Sequence, residues 1–262
     1  MKKFLISFLI LIVFLLPCFS QNQTIVKNVI STGIGFDSDL NKAKNKAVND
    51  AKINALREVG VEESINSYSD LYKSEINENY QELFTSQVFT EINGAVRSVQ
   101  ILNEKTTIIE GNIIKYEIEI NCEVLKFNTV SDNMFKAEIT GVRPFYYEND
   151  LFTFAINTTI EAYLYAFCIP QNQNEAYFIF PNDYEEQFLL KPNCDYKFPE
   201  KVDFFLSLNN QNQQTDRIIF VLTKQKYPYV GEINYKNLID WIFSIPPDQR
   251  FVNSFNYSIS KR

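Results

Sequence analysis

The chain has 262 residues, a formal charge of −7 and no histidine, which removes a Ser-His-Asp triad, a Cys-His pair and the usual zinc ligand sets. Its acidic balance repels nucleic acid and anionic membrane surfaces. Aromatic residues make up 15%, mostly the 23 Phe and 15 Tyr, and such a composition suits half-buried sheet faces better than helical bundles.

Residues 1–20, MKKFLISFLILIVFLLPCFS, have a basic start, an apolar stretch and a small, polar end. This is the layout of a secretory signal peptide, too short for a comfortable membrane span. Cys18 and Ser20 stand where a soluble-protein cleavage site before Gln21 needs small residues. LLPC also resembles a lipoprotein box, against which Pro17 argues, so membrane association follows only if Cys18 is acylated. Export is expected either way, and loss of Lys2 and Lys3 takes the charge to −9 (−7 minus 2). Cys122, Cys168 and Cys194 remain. Cys122 reads as a buried thiol on a strand, while Cys168 and Cys194 either pair or stay as two free thiols.

The stretch STGIGFDSD carries a Gly-x-Gly before an alanine-rich helical pattern. A dinucleotide fingerprint needs a third glycine where Ser38 stands, and Asp37 and Asp39 occupy the place of the phosphate charge. The stretch reads instead as a helix start, with Ser38 or Asp39 capping and Gly33 and Gly35 easing the turn. The helix is expected over 40–59, stopped by Gly60, with Ala43, Ala47, Ala51 and Ala55 forming a small apolar stripe joined by Leu40, Val48, Leu56 and Val59. Asp37-x-Asp39-x-Asn41 imitates a calcium loop, but Lys42 and Val48 stand where glycine and glutamate are required.

Apolar spacing over 62–84 predicts a second helix, with a long extended segment as its rival. From Gln87 the period becomes two, and IKYEIEINCEV is the clearest strand: Ile114, Tyr116, Ile118, Ile120, Cys122 and Val124 face one way, Lys115, Glu117, Glu119, Asn121 and Glu123 the other. Glu110-Gly111-Asn112 supplies its turn. Residues 21–130 are thus expected to form an α+β domain, an antiparallel sheet with one long alanine-striped helix and room for a second. After SDNM, residues 138–262 read as an all-β, sandwich-like domain. Its strand candidates are DLFTFAI, EAYLYAFCI, EAYFIFP, VDFFLSL, RIIFVLTK and FVNSFNYSI. The linkers PQNQNE and NNQNQQTD separate some of these runs, and YKNLIDWIFSIPP predicts a short helix ended by Pro246.

Two stretches carry resemblances. STGIGF, the alanine repeat, Gly60-Val61 and YEIEINCEV, over residues 25–128, resemble the N-terminal domain shared by small bacterial surface lipoproteins and a flagellar assembly protein. AYLYAF, YFIFPND, FLLKPN and FPEKVDF, over 138–258, resemble an uncharacterised domain family found at the C-terminal end of many exported bacterial proteins. PQNQNE lacks the glycine usual before that family's second strand. The second resemblance implies export and a β-rich shape and brings no catalytic residues.

The Phe180-Pro181-Asn182-Asp183 turn reads first as structural, with Pro181 fixing φ and Asn182 and Asp183 bonding their own backbone. Its functional reading is a ligand or partner face of Tyr163, Tyr165, Tyr177 and Tyr184 with Pro181 and Asn182. Glu185 and Glu186, adjacent on a strand, would point to opposite faces and could not converge on one bond, an objection that weakens on a turn or helix, so an enzyme ranks third and is disfavoured rather than excluded. The expectation is therefore an exported, non-enzymatic envelope protein, an adaptor for protein partners, with no catalytic residue, cofactor or metal assigned. The alternative is a binder of carbohydrate or peptidoglycan fragments through the tyrosines.

Overall fold

Three long segments pair in the N-terminal part, the third with an alternation of buried and less buried residues and the first with the same alternation from Asn28 onward. The computed structural model describes residues 24–61, 93–170, 176–187, 189–208 and 211–262. Residues 1–20, read above as a signal peptide, the helical pattern over 62–84 and most of PQNQNE lie outside the described residues. β1 (Thr24–Asp37), β2 (Gly94–Ile109) and β3 (Ile113–Phe127) form an antiparallel sheet in the order β1-β3-β2. On β3 the expected face is buried: Tyr116, Ile118, Ile120, Cys122 and Val124 are all 4% exposed or less. Gly111 and Asn112 turn the chain between β2 and β3 at positive φ.

Helix α1 (Leu40–Glu58) lies on that face, started by the Asp39 carboxylate accepting from the Lys42 N–H at 2.9 Å. Ala43, Ala47, Ala51 and Ala55 are fully buried, as the stripe predicts, whereas Leu40 stays 48% exposed. Gly33 and Gly35 lie within β1 rather than in the turn. A Cβ on Gly33 would sit 2.1 Å from the Ala47 carbonyl oxygen, and one on Gly35 would sit 2.0 Å from that of Ala43. Glycine and alanine together let backbone rest on backbone, so the glycines serve packing rather than chain reversal.

The C-terminal part is a sandwich, and the architecture as a whole is α+β. β4 (Ala137–Thr140), β6 (Phe154–Thr158) and β10 (Tyr196–Phe198) make a small sheet in the order β10-β6-β4. Opposite it stand β5 (Phe145–Tyr147), β7 (Ala162–Pro170), β8 (Tyr177–Phe180), β9 (Leu189–Leu190), β11 (Gln213–Thr223) and β12 (Arg250–Ser260). Their order is β5-β12-β11-β7-β8, with β9 also on β7. β7 and β11, apolar on both faces, take the central places. VDFFLSL forms no strand of its own; only Phe205 bridges to Leu151. Aromatic rings fill the gap between the sheets: Phe154 stacks on its neighbour Phe198 in the small sheet at 5.2 Å and meets Phe220 of the large sheet edge-on at 4.9 Å.

Helix α2 (Tyr235–Ser244) covers the other face of the large sheet and buries Tyr235, Leu238, Ile239, Ile242 and Phe243 at helical spacing. Asn234 caps its start, and Pro246 follows its end. One apolar cluster runs from the alanines of α1 through Val96 of β2 to α2 and to Tyr165, Phe167, Ile219 and Val221 of the large sheet. The two parts of the chain therefore share a core. Cys122, Cys168 and Cys194 are all free, the first two buried and the third exposed.

Candidate functional site

Among the described residues the face of the N-terminal sheet turned away from α1 is exposed along most of β1, while Ala95, Leu125 and Phe127, on the same face at its Thr24–Val26 end, are buried. Along β1 the residues opposite the glycines are bulky, and Val26, Ile30, Ile34 and Phe36 are 55, 59, 43 and 48% exposed. Exposed Ile109 and Ile113 continue this surface at the end of the β2–β3 hairpin. The adjacent row on β3 is acidic. Glu117 is bridged to Lys115 at 2.7 Å, and that bond, with Lys105 nearby, holds its carboxyl below the usual carboxylate range. This face carries a groove of about 430 Å³ lined by Thr32, Ile34, Asn103, Lys105, Glu117 and Glu119.

The two edges of this sheet are treated differently. β2 is broken by register shifts between Arg97 and Gln100 and between Ile101 and Asn103, irregularities that blunt an edge against pairing. β1 pairs with β3 without any shift, so every second residue turns its N–H and C=O outward. From Thr32 to Phe36 side chains of α1 satisfy these groups. Asn54 Nδ2 donates to the Thr32 carbonyl at 2.9 Å, the Ile34 N–H donates to Asp50 at 3.0 Å, and Lys46 Nζ donates to the Phe36 carbonyl at 3.1 Å. By the same alternation the outward groups of Val26, Asn28 and Ile30 meet no such side chain among the described residues.

The four tyrosines expected to line a face do not share one. Tyr165 is 2% exposed and packs edge-on against Trp241 at 5.0 Å, with half-buried Tyr163 on the same side of β7. Tyr177 pairs with Cys168 and so faces the other side of the sheet, 45% exposed, and Tyr184 stands on the turn at 64%. Asn182 builds that turn as its structural reading predicts, its Oδ1 accepting from the Tyr184 and Glu185 N–H groups at 2.9 Å and its Nδ2 donating to the Ile179 carbonyl. Pro181 follows a cis peptide bond at the same place. Glu185 lies on this turn and not on a strand. Its buried carboxylate accepts from the N–H groups of Glu200 at 2.6 Å and Lys201 at 2.8 Å, tying two loops together. Among the described residues no three Cys, Asp or Glu side chains cluster as a metal site requires.

The apolar row on β1 escaped the sequence reading, although its signal is in VKNVISTGIGF. Small residues occupy one alternate set and bulky ones the other. Once the glycine set is assigned to the alanine helix, the bulky set must face outward.

Residues 145–226 match the model of a domain of unknown function, DUF4384. The match opens at β5 and ends just beyond β11, so the C-terminal part carries a β-rich domain of unknown function. No curated protein matches the chain. Among solved structures, a chain of the complex between zinc 2-glycoprotein and prolactin inducible protein from human seminal plasma is 14% identical. The alignment covers 48% of this chain and 93% of that one at a TM-score of 0.26.

Proposed function

We propose that this protein is an exported, non-enzymatic interaction module that holds other proteins in an envelope assembly through the outer face of its N-terminal sheet. The observation that carries this reading is the row Val26, Ile30, Ile34 and Phe36, apolar side chains held in the open on a rigid sheet. Keeping such a row in water costs solubility, and exposed apolar patches of this kind mark sites of protein contact. The layout of residues 1–20 supports export. The likeness of residues 25–128 to the domain of small surface lipoproteins and a flagellar assembly protein supports a place in an envelope assembly.

The test is a crosslinked pull-down by the mature chain, beginning at Gln21, from its native envelope fraction. Ile30→Glu with Ile34→Glu places two charges at the centre of the row. The expected result is stoichiometric capture of a protein by the wild type and at least about a tenfold loss by the double variant with its circular dichroism unchanged. Equal capture by both would overturn the assignment of this face. Retention of glycan fragments in place of a protein would favour the carbohydrate reading, for which exposed Tyr177 and Tyr184 are the available contacts.

A further inference from the structure

The protection of β1 stops halfway along its edge. Asn54, Asp50 and Lys46 cover the outward backbone groups from Thr32 to Phe36, and among the described residues nothing covers those of Thr24–Ile30, a straight strand without a bulge. Other edges are managed: β2 is bulged, while β5 and β8, at the ends of the large sheet, are only three and four residues long. A bare, regular edge flanked by exposed Val26 and Ile30 is a template for one more strand.

We propose that Thr24–Ile30 receives an extended segment of a partner protein as a fourth strand of the N-terminal sheet. This rests on the interaction-module reading above and specifies how the partner is held. On the outer face the added strand sets its side chains beside Val26 and Ile30, which calls for apolar residues. On the inner face it meets the end of α1: Lys27 of β1 and Lys126 of β3 lie on that face by alternation, and Arg57 and Glu58 end the helix, three cations to one carboxylate. Arg57 Nη1 donates to Asn54 Oδ1 at 2.8 Å, which places it where the capped and open parts of the edge meet. Lys126 Nζ donates to the Gly60 carbonyl at 2.8 Å beside the same helix end. In a chain that is acidic overall this local excess of cations selects carboxylates, so the segment alternates apolar and acidic residues. A second copy of this chain fits less well. A seven-residue edge buries far less than the roughly 1,200 Å² that a stable specific interface needs, whereas a single strand gains its affinity from main-chain hydrogen bonds and alternate side chains.

The probe is an acetylated, amidated heptapeptide of alternating valine and glutamate, added to the mature full-length chain and read by amide hydrogen exchange in NMR spectra. In the free protein the Val26, Asn28 and Ile30 amides exchange fast, and those of Lys27 and Val29, bonded to β3, exchange slowly. With peptide, the three fast amides slow by about tenfold or more and the other two do not change. The same peptide with lysine for glutamate, or methylated on alternate backbone nitrogens, loses the effect. Asn28→Pro removes one outward N–H without touching the β1–β3 ladder and also abolishes it; Ile30→Lys, which keeps the backbone, weakens it if the proline variant folds poorly. Fast amides unchanged by peptide, or equal protection by the methylated peptide, would overturn strand addition. If the pull-down partner is lost on Ile30→Glu with Ile34→Glu but kept by Asn28→Pro, the interaction module stands and this mode of holding the partner falls.

Discussion

Gly33 is the residue on which the N-terminal part depends most sharply. Its hypothetical Cβ would meet the Ala47 carbonyl oxygen at 2.1 Å and the Ala51 nitrogen at 2.3 Å. Both are backbone atoms of a helix, so no side chain can swing aside. Gly33→Ala must lift α1 from the sheet, at an expected cost of about 3 kcal/mol or more, measured as a lower midpoint in urea unfolding. Gly111 offers the contrast, since nothing lies within 4 Å of a Cβ there and only its φ of +77° resists substitution. Gly111→Ala is expected to cost about 1 kcal/mol. If the two variants unfold alike, close packing is not what Gly33 provides. The sequence displayed both halves of this contact, glycines two apart and alanines four apart, but a Gly-x-Gly just before a capping aspartate looks like a turn. Only the registry of strand against helix, a tertiary fact, reassigns the glycines to packing.

Among the elements, α2 shows how a helix legible in sequence can still be held by something the sequence hides. Asn234 and Pro246 mark its limits in plain view. Its C-terminal carbonyls, however, are closed by Arg250, the first residue of β12, whose Nη1 donates to the Ile242 oxygen at 3.0 Å and the Ile245 oxygen at 2.5 Å. The guanidinium also lies over the Phe243 ring at 5.3 Å. A buried cation at a helix C-terminus gains from both the hydrogen bonds and the helix dipole. Arg250→Ala leaves two buried carbonyls without this donor and is expected to lower stability by about 2–3 kcal/mol. Arg250→Lys recovers part of that, because a point charge cannot stack as a planar guanidinium does. Trp241, the only tryptophan, packs on Tyr165 and Phe167 and reports the change by fluorescence. An unchanged emission and midpoint in Arg250→Ala would show that the cap contributes nothing. Strands on either side of α2 were readable where one face is wet or both are apolar, as on β3, β7 and β11. VDFFLSL misled because its backbone bonds the loop 149–152, through Phe204 and Leu206, without joining either sheet, and alternation by itself does not specify pairing.

At the scale of the whole molecule the shared core decides how the chain unfolds. A reading by domains leaves residues 21–130 and 138–262 as separate cooperative units, whereas the cluster joining α1, β2, α2 and the large sheet couples them. Charge crosses the same boundary, since the Asp240 carboxyl on α2 is raised by burial while Lys52 of α1 opposes that rise. The cysteines make the coupling measurable. Cys122 lies in the N-terminal sheet and Cys168 in the sandwich. Burial raises the pKa of the Cys122 thiol and pushes that of Cys168 up to about 12, so neither offers a reactive thiolate while folded. Cys194 is exposed and reacts at once. Pulsed thiol labelling of the mature chain across a urea series should therefore show one reactive cysteine without denaturant and the other two appearing together in a single transition. Leu238→Ala, in the middle of the joint, should cost about 2–5 kcal/mol and move both buried cysteines by the same amount. If Cys122 becomes reactive at a distinctly lower urea concentration than Cys168, the core is divided and the N-terminal sheet answers to a partner on its own. If they move together, a strand or helix docked on the outer face stabilises the sandwich as well, because binding to the folded state is felt by everything that unfolds with it.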